Sequence, residues 1–197
     1  LMILLKIIFK IKFLLIDLKN LIIFIKLYIF GLKIKFPNTK ENFFITSDKG
    51  LFLYNENLNK ILGIYCFGIS SSSKELFLAL SFFNYSIIVG LNYRIKGNYL
   101  KISKLKVYFT QKYSDHGERV HQIQYNNNRL YIANTAKNSI VILNIENKRK
   151  FEIFPFVDST GYPIRTHHNH INSILCLNDC IVFTAHNGCI NSSIVGF

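Results

Sequence analysis

Tryptophan is missing from this chain, and methionine, proline, glycine and cysteine are scarce: the 197 residues include one Met, three Pro, ten Gly and four Cys. The low glycine and proline contents exclude a collagen-like repeat, and four cysteines exclude a dense disulfide scaffold. Charged residues make up only 18% of the chain, whereas half of it is apolar and 15% is aromatic. This balance excludes wholesale disorder, and the length is ample to bury a hydrophobic core.

The first 36 residues differ from the rest in composition. Twenty-four of them are Ile, Leu or Phe, and seven lysines against one aspartate give the segment a charge of +6. A membrane-spanning helix needs about 20 predominantly apolar residues, but no uncharged run here exceeds six residues. A helix on a membrane surface gathers its lysines on one polar face. Helical periodicity instead places two groups on roughly opposite sides, namely Lys6, Lys10 and Asp17 against Lys12, Lys19, Lys26 and Lys33.

Three interpretations of residues 1–36 stay open. The chain starts with Leu and is rich in residues that AT-rich codons encode, which favours a fragment start or upstream sequence translated in error. The alternatives are a membrane-proximal segment, which would give the protein a membrane contact, and a buried element of the fold. No small-residue cleavage site follows the apolar stretch, so we expect no secretory signal and favour a cytoplasmic location.

Residues 37–197 form the second predicted region, which contains a repeat of about 50 residues. At an offset of 54, the first copy aligns with the second through Ile69 and Ile123, Leu76 and Leu130, Ala79 and Ala133, and Asn84 and Asn138. At an offset of 51, Asn172-Ser173-Ile174 aligns with His121-Gln122-Ile123, and Ile181-Val182-Phe183 aligns with Leu130-Tyr131-Ile132. The constant offsets indicate three copies of one structural unit.

Each copy consists of short apolar runs joined by polar turns. In the middle copy we predict strands at 120–125, 130–134, 139–145 and 150–156, and the first turn, Asn126-Asn127-Asn128, consists of residues that tolerate positive φ. The β-branched and aromatic content favours antiparallel sheet. Four such strands, repeated about every 40–50 residues, are typical of a β-propeller blade.

The sequence therefore predicts an all-β fold of four-stranded antiparallel blades, an incomplete β-propeller of about three and a half blades. We assign 43–62 to the last three strands of one blade, 64–109 and 119–156 to complete blades, and 171–197 to the first three strands of a fourth. Because propellers close with about four to eight blades, we expect the chain to be a fragment of a longer bacterial protein. The alternatives are an open solenoid-like stack and a small sandwich.

Three stretches carry a family resemblance. Residues 60–69 (KILGIYCFGI), 120–123 (VHQI) and 168–174 (HNHINSI) resemble the first-strand motifs of six- or seven-bladed bacterial propellers. These belong to the broad superfamily of quinoprotein-like, strictosidine-synthase-like and gluconolactonase-like propellers. The resemblance covers residues 43–197 and implies a fold rather than a function, because propellers host unrelated chemistries.

Polar side chains are concentrated in the two segments that lead into predicted first strands, 114–121 and 166–172. In a propeller the first strand of each blade lines the central channel, and the loops that enter it form one face. His186 aligns with Thr135 at the offset of 51, so we expect it at the same rim. The predicted ligand-binding residues are Asp115, His116, Glu118, Arg119, His121, His168, His170, Asn172 and His186.

A metal site is one hypothesis for this face. His168 and His170 lie two residues apart, so on a strand they would project from one face. Imidazole suits Zn, Cu, Fe or Ni, with Asp115 or Glu118 completing the site. The alternative is that these polar residues satisfy buried backbone groups where strands converge.

The resemblance to gluconolactonases and related lyases implies a divalent metal ion, held by carboxylate and amide oxygens, and a base that moves a proton. His121 or His170 is then the predicted catalytic base. The predicted metal ligands from both hypotheses are Glu118, Asn134, His168, His170 and Asn187.

Other features favour neither a redox scaffold nor a nucleic-acid interface. The four cysteines form no C-x-x-C pair, so we expect buried free thiols. The densest basic run outside the first segment is 96–106. We assign it to outer strands, where lysines commonly protect exposed strand edges.

The leading hypothesis is a binding or scaffold module for a small molecule or protein at the channel face. The alternative is a metal-dependent hydrolase or lyase acting on a small polar or sugar-like substrate.

Overall fold

The computed structural model describes residues 2–30, 32–35, 43–55, 57–96, 99–113, 119–164, 169–177, 180–186 and 192–196. One helix, α1 (Met2–Phe30), precedes the strands. The first eight strands are β1 (Leu32–Lys35), β2 (Phe43–Ser47), β3 (Gly50–Asn55), β4 (Asn57–Leu62), β5 (Cys66–Ser71), β6 (Glu75–Phe82), β7 (Tyr85–Lys96) and β8 (Tyr99–Lys112). They are followed by β9 (Val120–Asn126), β10 (Arg129–Asn134), a 3₁₀ turn (Thr135–Lys137), β11 (Ser139–Asn144), β12 (Lys150–Ile153), β13 (Ile171–Leu177), β14 (Cys180–His186) and β15 (Ser192–Gly196).

The described strands form four antiparallel sheets, as the repeat predicts. Blade 1 contains β2, β3 and β4, blade 2 contains β5 to β8 in order, blade 3 contains β9 to β12, and blade 4 contains β13 to β15. β1 pairs with the outer edge of β8 in blade 2. The predicted turn between β9 and β10 is confirmed, because Asn127 and Asn128 have φ values of 46° and 60°.

Side-chain alternation lets each of the two middle sheets, blades 2 and 3, pack on two neighbours. On β6, Phe77 and Ala79 belong to the cluster shared with blade 3, whereas Leu76 and Leu78 belong to the cluster shared with blade 1. All eight β6 residues are buried, since both faces of the strand are covered. β10 repeats the pattern between blades 2 and 4. The sheets are therefore stacked face to face, in a propeller-like arrangement.

The inner strands lie side by side and exchange polar contacts. The Tyr125 N–H donates to Ser70 Oγ at 2.7 Å, which joins β9 to β5. The Cys176 N–H donates to Gln124 Oε1 at 2.6 Å, which joins β13 to β9. Side chains thus satisfy backbone groups that lie between two sheets, outside either ladder.

The structure corrects the order of strands in blade 1. β2 lies against β5, and the Thr46 hydroxyl donates to the Phe67 carbonyl at 3.2 Å. β2 is therefore the inner strand, and the prediction that 43–62 are the last three strands of a blade is wrong. A short run of alternating apolar and polar residues does not indicate whether its strand is the inner or the outer strand of a blade. For β2, the packing on β5 determines the inner position.

Helix α1 packs against β6 and β8. Leu27 is buried in the core cluster of blades 1 and 2, and Leu21, Ile23 and Phe24 pack against it. Part of residues 1–36 thus packs onto the fold, and the three interpretations of the segment stay predictions. Within the described part of the chain, no helix has the length and apolar character needed to cross a membrane.

Candidate functional site

The site lies where the inner strands of blades 2, 3 and 4 begin, and a β-bulge marks each of these three places. In β5, Cys66 and Gly68 pair with consecutive β6 residues, so Phe67 is the extra residue. In β9, His121 and Gln122 lie opposite a single residue of β10. In β13, Asn172 is the extra residue. A bulge re-aims a side chain out of the regular pleat, and here it does so at equivalent positions of the repeat.

Five rings form a row, which we call the ring row, running from blade 2 to blade 4. Tyr65 stacks on Phe67 with ring centroids 6.5 Å apart, and Phe67 lies 6.0 Å from His121. His121 packs edge-on against His170 at 5.0 Å, and His170 packs edge-on against His186 at 5.6 Å. The structure thus brings together His121, His170 and His186, three of the residues predicted from the sequence.

Arg119 supplies a permanent positive charge beside the ring row. Its guanidinium carbon lies 5.2 Å from the Tyr65 ring centroid and 5.4 Å from that of Phe67, within the range of cation–π attraction. Arg119 also borders a narrow cleft with Asp17 and Tyr113, which has room for about one water molecule.

His121 is the most strongly perturbed group of the site. Burial, together with the positive charges that His170, Arg119 and His186 can carry nearby, lowers its pKa from 6.5 to about 4. The ring is therefore neutral at pH 7 and offers one donor and one acceptor nitrogen. Its Nε2 atom is buried and has no hydrogen-bond partner among the described residues.

His170 is held by an unusual backbone conformation. Its φ is 43°, in the left-handed region that few non-glycine residues adopt. The His186 N–H donates to the His170 carbonyl at 3.4 Å, which ties this residue to the end of β14. Backbone strain of this kind is often found at functional sites, and here it sets the ring of His170 between those of His121 and His186.

The remaining predicted site residues have three different outcomes. Asn172 is half-buried at the bulge of β13, the position that the repeat aligns with His121. Asn134 is fully buried inside blade 3, where its Nδ2 atom donates to Ser139 Oγ at 3.1 Å and to Glu152 Oε1 at 3.4 Å. The other predicted residues lie outside the described part of the chain: Asp115, His116, Glu118, His168 and Asn187.

The described residues do not assemble the oxygen-rich metal site that the family resemblance implies. No group of three or more His, Cys, Asp or Glu residues in the described ranges is arranged to hold a metal ion. Asn134, the one predicted oxygen ligand that is described, lies inside blade 3, where its Nδ2 atom donates to Ser139 and Glu152 and its buried Oδ1 atom has no hydrogen-bond partner among the described residues.

Tyr65 and Phe67 are site residues that a search for polar side chains omits. The repeat carried a signal for Phe67, because this residue occupies the position of His121 and Asn172 in the other two copies. The prediction of buried free thiols is confirmed for Cys66 and Cys176, whereas Cys180 is a free thiol that is only half-buried and Cys189 lies outside the described residues. Burial raises the pKa of Cys176 to about 11, so this thiol stays protonated.

Comparisons with known proteins were made for the whole chain. No protein-family model matches the sequence, and no curated protein sequence matches it. The structure is similar to the crystal structure of Myxococcus xanthus glutaminyl cyclase, with 12% sequence identity and a TM-score of 0.43. The match covers 77% of this chain and 64% of that enzyme, so this chain spans less than two thirds of its length.

Proposed function

We propose that this protein is a propeller-like binding module that takes a small organic anion at the ring row and Arg119. The observation that carries the proposal is the His121 Nε2 atom, which is buried and lacks a hydrogen-bond partner among the described residues. Buried polar atoms are nearly always hydrogen-bonded in folded proteins. A ligand that reaches this atom would supply the missing partner.

The charge of the site favours an anion. The guanidinium of Arg119 is held over two rings, two residues before His121. Arginine forms two parallel hydrogen bonds with carboxylates and phosphates, and these are stronger than neutral ones. The chain as a whole has a net charge of +13, which attracts anions toward the protein.

The pKa of His121 favours binding over general base catalysis by this residue. An efficient general base has a pKa near the working pH, whereas that of His121 is about 4. Because its pKa is this low, the imidazole stays neutral at pH 7 and is suited to hydrogen-bond a ligand without accepting a proton from it. His121, predicted from the sequence as a catalytic base, is therefore proposed as a ligand-contacting residue.

Titration calorimetry with short carboxylates, phosphate monoesters and neutral sugars tests the proposal. We expect an anion to bind, and Arg119→Gln to weaken it at least about tenfold through loss of a charged hydrogen bond. The matched control is Arg129→Gln, which removes an exposed arginine from the other end of the same blade. Equal affinity of both variants, or binding of neutral sugars alone, would contradict the proposed site.

The alternative function is a metal-dependent hydrolase or lyase, with His170 among the ligands and Glu118, His168 and Asn187 supplying the others. Elemental analysis of the purified full chain separates the two functions. A stoichiometric divalent ion whose loss abolishes ligand binding would favour the enzyme. Anion binding that persists in the presence of a chelator supports the binding module.

A further inference from the structure

Helix α1 exposes an apolar stripe on the side that faces away from the blades. Its members are 45–61% exposed to solvent, unusually high for large aliphatic side chains on one surface: Leu14, Leu15, Leu18, Ile22, Ile25 and Ile29. We call this set the outer stripe. At 100° per residue these positions span about 100° of the helix circumference, so they form one continuous strip.

The opposite side of α1 is fixed to the fold. Leu27 is only 3% exposed, and the Phe24 ring lies 5.6 Å from that of Phe82 in β6. Asn20 is buried on the same side. These contacts determine the rotation of the helix about its axis, so the outer stripe cannot turn inward without breaking them.

The lysine pattern of α1 fits this orientation. Lys19 and Lys26 are exposed, and helical geometry places both within about 40° of the edge of the outer stripe. Asp17, the one acidic residue of the helix, lies on the other side and borders the cleft with Arg119. The surface around the outer stripe is therefore basic.

This arrangement also explains why the sequence pattern of α1 looks irregular. A helix at a membrane surface has one apolar face and one polar face, and α1 lacks that simple division. One of its apolar faces is covered by blades 1 and 2, and the second is the outer stripe. A helix between a protein core and a second apolar medium is expected to be apolar on both sides.

We propose that α1 binds along the surface of a membrane that contains anionic lipids, with the outer stripe in the interface and the blades on the aqueous side. An anionic lipid surface satisfies both observations: its acyl region accepts the stripe, and its headgroups attract Lys19 and Lys26. A second copy of the chain would bring the same lysines together, which like charges oppose.

Vesicle sedimentation of the full chain tests this. Wild-type protein should sediment with mixed phosphatidylcholine–phosphatidylserine vesicles, and less with pure phosphatidylcholine. Replacing Leu18, Ile22 and Ile25 together by Ser should weaken binding to the mixed vesicles about 100-fold, because three half-exposed aliphatic side chains no longer enter the interface. Replacing Lys19 and Lys26 by Gln should weaken it about 30-fold on the mixed vesicles and have little effect on neutral ones.

The control replaces Phe151, Val157 and Leu175 by Ser. These residues are 47–64% exposed but lie on blades 3 and 4 or the segment between them, so vesicle binding should not change. Circular dichroism checks that each variant is folded. Equal binding of the stripe variant and the control would overturn the proposal. The proposal would also be overturned if wild-type protein did not bind vesicles but formed a dimer in sedimentation velocity experiments, and if the stripe substitutions dissociated that dimer.

Discussion

Acidification should destabilise the protein through His121. In the folded chain its pKa is about 4, whereas the unfolded chain has the ordinary value of 6.5. The unfolded state therefore binds a proton more tightly, so the full stability is present above pH 6.5 and is lost as the pH falls toward 4. At 1.36 kcal/mol per pKa unit, the difference corresponds to about 3.4 kcal/mol. Because His121 is only partly buried, solvent screening reduces this to about 2 kcal/mol.

The variant that isolates this effect is His121→Phe, since Phe67 shows that the equivalent bulge of blade 2 accepts phenylalanine. Urea denaturation of both proteins at several pH values between 7 and 4 gives the free energy of unfolding. The difference between wild type and variant should change by about 2 kcal/mol over that range. Asn172→Phe is the control, because it adds a ring at the third bulge without removing a titratable group. Parallel stability curves for wild type and His121→Phe would refute this reasoning.

Three further substitutions test the packing of the blades. Phe77→Ala should lower the free energy of unfolding by about 3–5 kcal/mol, as measured in urea, because Phe77 is fully buried between blades 2 and 3; a loss below about 1 kcal/mol would contradict that interface. Gly50→Ala should cost about 2–3 kcal/mol in thermal unfolding, since φ is 130° and an added Cβ would collide with the Leu62 carbonyl. Thr135→Val should cost about 1–3 kcal/mol because it removes the buried 2.6 Å hydrogen bond to the Ile171 carbonyl, whereas Thr135→Ser should retain most of the stability.

The strands of blade 3 could be predicted from the sequence because each of them is a local pattern. The predicted strand 130–134 agrees with β10, where alternating side chains are needed to reach both neighbouring sheets. The Asn127-Asn128 turn follows from the tolerance of asparagine for positive φ. Such features depend on neighbouring residues only, so a single sequence contains their signal.

Other features depend on contacts between distant segments, and the sequence did not predict them. The inner position of β2 follows from its packing on β5, which no local pattern encodes. The packing of α1 on the blades depends on the contact between Phe24 and Phe82, which are 58 positions apart in the chain. The candidate site shows the same division: the repeat aligned His121 with Asn172, but the bulges that re-aim them are properties of strand pairing.

The bulges have a consequence for how a repeat of this kind diversifies. Phe67 is an extra residue with no partner of its own in the ladder, and His121 and Asn172 occupy the same place in later copies. A substitution there alters the chemistry at the inner end of a blade while the pairs that hold the sheet keep their partners. Duplicated blades can thus diverge one bulge residue at a time, and an aromatic, a titratable and an amide side chain occupy the three equivalent positions.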